Sequence, residues 1–84
     1  EPVKGVNEAN GQLFRGEKHA LLFLMNPGTQ EISLTFELPK EFNEGREFYN
    51  GTTIKAGERT TLKLPPGEAA VYRLTRAENK GGRP

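Results

Sequence analysis

Residues 18–38 constrain the fold of this chain more than any other stretch of its sequence. Residues 18–26 are apolar at odd and even positions alike, which is typical of a β-strand covered on both faces. Residues 29–38 instead alternate strictly, as in a half-buried strand whose inner face holds Ile32, Leu34, Phe36 and Leu38. Asn26-Pro-Gly28 separates the two runs and favours a tight turn. The sequence therefore predicts a hairpin, which the rest of the chain must cover because a lone hairpin is not stable.

The remainder of the chain consists of short apolar segments separated by glycine and proline. Strands are predicted at residues 11–16, 46–49, 52–54, 59–64 and 68–75, and no segment has sustained helical periodicity. Short strands interrupted about every 8–12 residues by turn signals are typical of an antiparallel sandwich or barrel. We therefore predict an all-β domain, a small antiparallel β-sandwich of about six to eight short strands.

The length of 84 residues suits one domain with one core. We place the β-sandwich at residues 11–76, with a linker or edge strand at residues 1–10. Residues 77–84 are predicted to be a disordered tail, because the stretch from residue 79 onward has no apolar side chain to anchor it. The predicted core consists of Leu22, Phe23, Leu24, Leu34, Phe36, Leu62, Val71, Tyr72 and Leu74.

The composition of the chain argues against several classes of partner and site. Twelve basic and eleven acidic residues leave a net charge of +1, which argues against a nucleic-acid partner because such a partner requires a basic face. No apolar run approaches the ~20 residues of a membrane helix, so we expect no membrane partner. The chain has no cysteine, which excludes disulfides and thiolate metal sites but leaves the cellular compartment open.

No catalytic, cofactor-binding or metal site is predicted. His19 is the only histidine, whereas a general base needs an orienting partner and a metal needs several ligands. Glu41 and Glu44 flank a predicted loop, and Glu31 and Glu37 lie on the wet face of a strand. Each has Lys or Arg nearby in sequence, and none has the apolar surroundings expected of a glycosidase acid. We therefore predict that the chain is not an enzyme.

The Asn50-Gly51 pair is the strongest local turn signal in the sequence. Both central residues of a type I′ turn need positive φ, which this pair accepts most easily. Phe48 and Tyr49 precede the pair on a predicted strand, so one ring should be buried and the other exposed. An exposed ring beside a loop can stack on a sugar or pack on another domain. The predicted sugar or domain contact therefore consists of Phe48, Tyr49, Asn50, Thr52 and Thr53.

Four segments together give the sequence a recognisable pattern. They are Ala20-Leu-Leu-Phe-Leu-Met-Asn-Pro-Gly28, Ile32-Ser-Leu-Thr-Phe-Glu-Leu-Pro39, Phe48-Tyr-Asn-Gly51 and Thr61-Leu-Lys-Leu-Pro-Pro-Gly-Glu-Ala-Ala-Val-Tyr-Arg-Leu74. The pattern resembles the small all-β domain that closes many glycoside hydrolases, most of all the C-terminal domain of the alpha-amylase superfamily. The resemblance implies a structural domain packed on a catalytic barrel, with occasional sugar binding. It carries over no catalytic residue, because those residues lie on the barrel.

Three functions follow as hypotheses. The first is a non-catalytic accessory domain that supports the catalytic domain of a glycoside hydrolase, and the resemblance favours it. The start at Glu1 and the polar end suggest a piece of a larger protein or a mature chain without its leader, and the former would fit this hypothesis. The second is a carbohydrate-binding module with an oligosaccharide partner, which a stripe of coplanar exposed aromatics would favour. The third is an immunoglobulin-like domain for protein interaction or spacing. A charge-rimmed apolar patch would favour the first or the third.

Overall fold

A computed structural model describes residues 1–76, which form seven antiparallel strands and no helix. The strands are β1 (Gly11–Arg15), β2 (His19–Met25), β3 (Ile32–Phe36), β4 (Phe42–Glu47), β5 (Thr53–Lys55), β6 (Thr60–Leu64) and β7 (Ala69–Arg76). Five of them form one sheet in the order β1-β2-β7-β4-β5, and β3 pairs with β6 in a second sheet. This architecture confirms the prediction of a small all-β antiparallel domain with six to eight short strands.

The hydrophobic core contains alternate residues of strands from both sheets. Side chains of a strand point to opposite faces in turn, so each strand contributes every second residue to the core. Phe36 of β3 meets Tyr72 of β7 with ring centroids 6.4 Å apart, which joins the two sheets. Six predicted core residues are buried, namely Leu22, Leu24, Leu34, Phe36, Tyr72 and Leu74. The other three are only partly buried, namely Phe23, Leu62 and Val71.

The predicted hairpin between residues 18–26 and 29–38 is wrong, because β2 and β3 belong to different sheets. Asn26, which is buried, gives the physical reason. Its side-chain amide donates hydrogen bonds to the carbonyls of Gln30 at 2.7 Å and of Leu64 at 2.9 Å. These bonds tie the end of β2 to the end of β6, so the chain crosses from one sheet to the other instead of folding back on itself.

The prediction that residues 18–26 are covered on both faces is also wrong. One face of β2 is buried in the core, but on the other face Leu21 and Phe23 are partly buried and Met25 is exposed. Phe14 of β1 packs edge-on against Phe23 with ring centroids 5.4 Å apart. The second face of β2 therefore has an apolar surface that nothing in residues 1–76 covers fully.

β4 (Phe42–Glu47) begins four residues before the start of the predicted strand 46–49 and ends two residues before the end of that strand. The sequence predicts a loop or a single helical turn at residues 40–45, with Gly45 as its stop, but residues 42–45 belong to β4. A Cβ atom on Gly45 would instead lie 2.6 Å from Cδ2 of Leu74, so this glycine serves a close approach between β4 and β7. The strand therefore continues through the glycine.

Residues 1–10, predicted to be a linker or an edge strand, form no strand and pack against the sandwich. Val3 is buried in the core. The N–H of Leu13 donates to the carbonyl of Glu1 at 2.8 Å, and the terminal ammonium of Glu1 donates to the carbonyl of Leu13 at 3.0 Å. These bonds cover part of the free edge of β1. The predicted tail, residues 77–84, lies outside the described residues.

Candidate functional site

The loop that joins β4 to β5 is held by the carboxylate of Glu47, which is only 4% exposed. Oε1 of Glu47 accepts hydrogen bonds from the N–H groups of Tyr49 at 2.8 Å and Asn50 at 2.9 Å. Oε2 accepts from the N–H of Val71 on β7 at 3.1 Å. Burial acts to raise the pKa of Glu47, but the three backbone donors outweigh it and hold the pKa below its ordinary value. One carboxylate thus fixes the loop to the centre of the sheet.

The predicted hairpin at Asn50-Gly51 exists, since β4 pairs with β5, but its turn is not type I′. Gly51 has a φ of +74°, but Asn50 does not have the positive φ that a type I′ turn also needs, since only glycines have positive φ among the described residues. The N–H of Gly51 donates to the carbonyl of Glu47 at 3.0 Å, which closes a longer loop. Oε1 of Glu47 binds the N–H groups of Tyr49 and Asn50 at once, and this geometry favours the longer loop over a two-residue turn.

The expectation that one ring of the aromatic pair is buried is wrong, because Phe48 is 57% exposed and Tyr49 is 86% exposed. β4 ends before both residues, so strand alternation does not apply to them. The N–H of Phe48 donates to the carbonyl of Val71 at 2.9 Å, which places Phe48 beside β7. The polar members of the predicted contact, Asn50, Thr52 and Thr53, are exposed on the same hairpin as Tyr49.

The face of the five-stranded sheet that points away from the core carries a contiguous apolar surface. Phe14 of β1 lies opposite Leu21 of β2, and Phe23 of β2 lies opposite Val71 of β7. Paired residues of adjacent strands point to the same face, so these side chains are neighbours. The outer apolar face, as we name it, consists of Phe14, Leu21, Phe23, Met25, Phe48 and Val71.

A shallow groove of about 470 Å³ crosses this face. Phe14 and Phe48 line the groove together with Leu21, and His19 and Arg73 add polar groups to its lining. Of the predicted contact residues, only Phe48 lines this groove. The structure thus separates Phe48 from the other four residues of the predicted contact.

Two arginines are neighbours on β7 and β4, and of these Arg73 lines the groove. Arg73 and Arg46 are opposite each other across the two strands. Nη2 of Arg73 lies 3.0 Å from Nε2 of His19, so that nitrogen must accept the bond because a guanidinium can only donate. Within residues 1–76, neither arginine has a carboxylate within 4.0 Å. The apolar groove is therefore bordered by positive charge.

The candidate catalytic carboxylates occupy ordinary surface positions. Glu41 pairs with Arg15, and a backbone hydrogen bond together with this arginine holds the pKa of Glu41 below its usual value. Glu37 lies 3.7 Å from Arg59. In the described part of the chain, no group of three or more His, Cys, Asp or Glu side chains could hold a metal ion. The same residues include no helix that could span a membrane.

Sequence reasoning missed the buried carboxylate of Glu47 and most of the outer apolar face. The signal for Glu47 was its position directly before a loop of two aromatic residues and Asn-Gly, because successive N–H groups in such a loop need an acceptor. The signal for the second was the apolar second face of residues 18–26. Comparisons with protein-family models, curated proteins and solved structures find no match to this chain.

Proposed function

We propose that this chain is a non-catalytic β-sandwich domain of a carbohydrate-active enzyme, a glycoside hydrolase, and that it supports the catalytic domain by packing against it. The observation that carries the proposal is the outer apolar face. A contiguous exposed apolar surface rimmed by polar residues is typical of an interface. The resemblance to glycoside hydrolase closing domains supplies the class of partner.

The contrast between the outer faces of the two sheets supports this use of the outer apolar face. The outward residues of β3 and β6 are polar, and Oγ1 of Thr35 lies 3.0 Å from Oγ1 of Thr61 across the pair. Lys63 on the same face is exposed. One sheet therefore presents a surface suited to water, whereas the other presents phenylalanine, leucine and valine, which favours docking through the five-stranded sheet.

Sugar binding at the β4–β5 loop is the second candidate, because Tyr49 presents its ring at 86% exposure on a loop that Glu47 holds in place. A rigid ring loses little entropy on binding, but one ring supports only weak affinity, roughly millimolar. Titration of ¹⁵N-labelled chain with maltooligosaccharides, cello-oligosaccharides and galactosides tests it. Shifts clustered at residues 49–53 that Tyr49→Ala abolishes would establish the site, and the absence of shifts would remove it.

The experiment for the docking proposal begins with the gene. We expect the sequence encoded beside residues 1–84 to include a catalytic domain of a carbohydrate-active enzyme. In that full-length protein, Phe14→Ser should lower the thermal midpoint of the catalytic domain in calorimetry, because it removes an exposed ring from the docking surface. The matched control is Lys63→Ser, an exposed substitution on the polar face, which should leave the midpoint unchanged.

Two results would contradict the docking proposal. One is a gene product that contains no carbohydrate-active catalytic domain. The other is a catalytic domain whose midpoint is the same in the wild type, Phe14→Ser and Lys63→Ser. The midpoint of the 84-residue chain, measured separately for each variant, separates a loss of docking from a loss of stability in the sandwich itself.

A further inference from the structure

The groove on the outer apolar face has two aromatic walls that are held in position. Phe14 rests edge-on against Phe23 at 5.4 Å, and the N–H of Phe48 is bonded to the carbonyl of Val71. Leu21 also lines the groove, whose volume is about 470 Å³. Apolar walls suit a large apolar side chain of a partner protein. A few such side chains, buried at the centre of an interface, carry most of its binding energy.

Arg73 gives the groove a charged side. Its guanidinium is bonded to His19, and its remaining N–H donors have no carboxylate partner within 4.0 Å among residues 1–76. Arg15 also lines the groove, but Glu1 and Glu41 already bind it. Of the two arginines that line the groove, Arg73 is therefore the one that can bind an incoming carboxylate, for which its planar fork of donors is suited.

We propose that the groove receives one large apolar side chain of the partner domain and that Arg73 binds a carboxylate on the residue next to it. This inference rests on the proposed docking through the outer apolar face and adds the chemistry of the contact. An interface that covered Arg73 without supplying a carboxylate would bury an unpaired charge, which is costly. The partner surface should therefore combine an apolar anchor with an acidic residue.

The apolar walls favour a protein anchor over a nucleic-acid phosphate as the occupant. A phosphate backbone would need several free cations along its path, whereas the whole chain has a net charge of only +1.

The test uses the 84-residue chain and two small probes, N-acetyl-Phe-Glu amide and its neutral analogue N-acetyl-Phe-Gln amide. In ¹⁵N–¹H titrations, the acidic probe should shift the amides of Leu21, Phe48 and Arg73 with a dissociation constant in the millimolar range. The neutral probe should bind roughly two- to fivefold more weakly, as expected for the loss of one exposed ion pair.

Two variants separate the contribution of Arg73 from a general effect of charge. Arg73→Gln should make the two probes bind equally, whereas Arg59→Gln, an arginine beside the other sheet, should preserve the difference. Equal binding of both probes to the wild type, shifts outside the groove, or no shifts at all would each overturn the inference. If one of these results is found but Phe14→Ser still weakens docking in the full-length protein, the proposed function stands and only the assignment of the groove is removed. Preferential binding of the acidic probe without an effect of Phe14→Ser would remove the proposed function.

Discussion

Glu47→Gln is the substitution that most directly tests how the β4–β5 loop is held. The carboxylate accepts three backbone hydrogen bonds, two from the loop at Tyr49 and Asn50 and one from Val71 on β7. A glutamine amide has one oxygen and one NH₂ group, so whichever way it is placed an N–H donor must face another N–H donor. The least damaging placement keeps the oxygen toward the loop and loses the bond to β7.

The cost of this substitution follows from the hydrogen bonds. Hydrogen bonds to a charged group contribute about 1.5–3 kcal/mol and neutral ones about 0.5–1.5 kcal/mol, and a buried unpaired donor costs about 1–3 kcal/mol. Two bonds that each weaken by about 1 kcal/mol and one unpaired donor, offset in part by the smaller cost of burying a neutral amide, sum to roughly 2–4 kcal/mol. A domain of this size has a total stability of about 4–12 kcal/mol. The thermal midpoint should therefore fall by roughly 10–30 °C.

Thermal unfolding followed by circular dichroism at neutral pH measures this loss. The matched control is Glu44→Gln, on the same strand, because no hydrogen bond joins the Glu44 side chain to another residue among 1–76. We expect Glu44→Gln to change the stability by less than about 0.5 kcal/mol. An equal loss in both variants would show that charge on β4, rather than the three hydrogen bonds, sets the stability.

The pH dependence supplies a second check on Glu47. Its pKa is lowered in the folded state, so its contribution is complete above the unfolded pKa of about 4.3 and is lost as the pH falls through the folded pKa. The difference in midpoint between wild type and Glu47→Gln should thus be largest near neutral pH and shrink in acid. A difference that stays constant across this range would refute the argument.

Three further substitutions test the crossing between sheets and the core. Asn26→Ala should lower the free energy of unfolding in urea by roughly 2–4 kcal/mol, because it removes the hydrogen bonds of a buried amide and leaves the carbonyl of Leu64 without that partner. The control is Asn43→Ala at an exposed position. Equal urea midpoints for the two variants would contradict the role of Asn26. Phe42→Ala should cost about 3–5 kcal/mol because Phe42 is fully buried. Phe23→Ala should cost clearly less because Phe23 is only partly buried, and the reverse order in urea midpoints would show that the core is assigned wrongly.

The strands and their buried faces could be predicted because side-chain alternation is a local property of the sequence. Residues 29–38 and 68–75 each show it, and Leu34, Phe36, Tyr72 and Leu74 are buried as expected. Glycine and proline also mark most of the turns. The bounds of β4 escaped this reasoning, because the requirement for a glycine at position 45 arises from Leu74 on another strand.

The pairing of strands could not be predicted from the turn signals. Asn26-Pro-Gly28 has the composition of a tight turn, but the partners of the Asn26 amide include Leu64, 38 positions along the chain. The sequence likewise placed both aromatics of the β4–β5 loop on a strand, whereas three backbone donors that converge on Glu47 end the strand earlier. Long-range hydrogen bonds to buried side chains decide both features.

One exposed aromatic residue was expected at positions 48 and 49, whereas both rings are exposed and only that of Phe48 lines the groove. Phe48 joins the outer apolar face through its bond to Val71, whereas Tyr49 does not line the groove. Phe14 and Arg73 became relevant only through pairing across β1, β2 and β7. A surface assembled from three strands has no signature within any one of them.

The position of β7 also determines the order in which the domain can be completed during synthesis. Among the seven strands of residues 1–76, β7 is synthesised last, yet it lies between β2 and β4 in the five-stranded sheet. Before it emerges, β1–β2 and β4–β5 can exist only as two separate hairpins, and isolated hairpins are marginal in water. A translation product that stops before Ala69 therefore lacks the strand that joins the two halves, and it cannot form a smaller version of the same sheet.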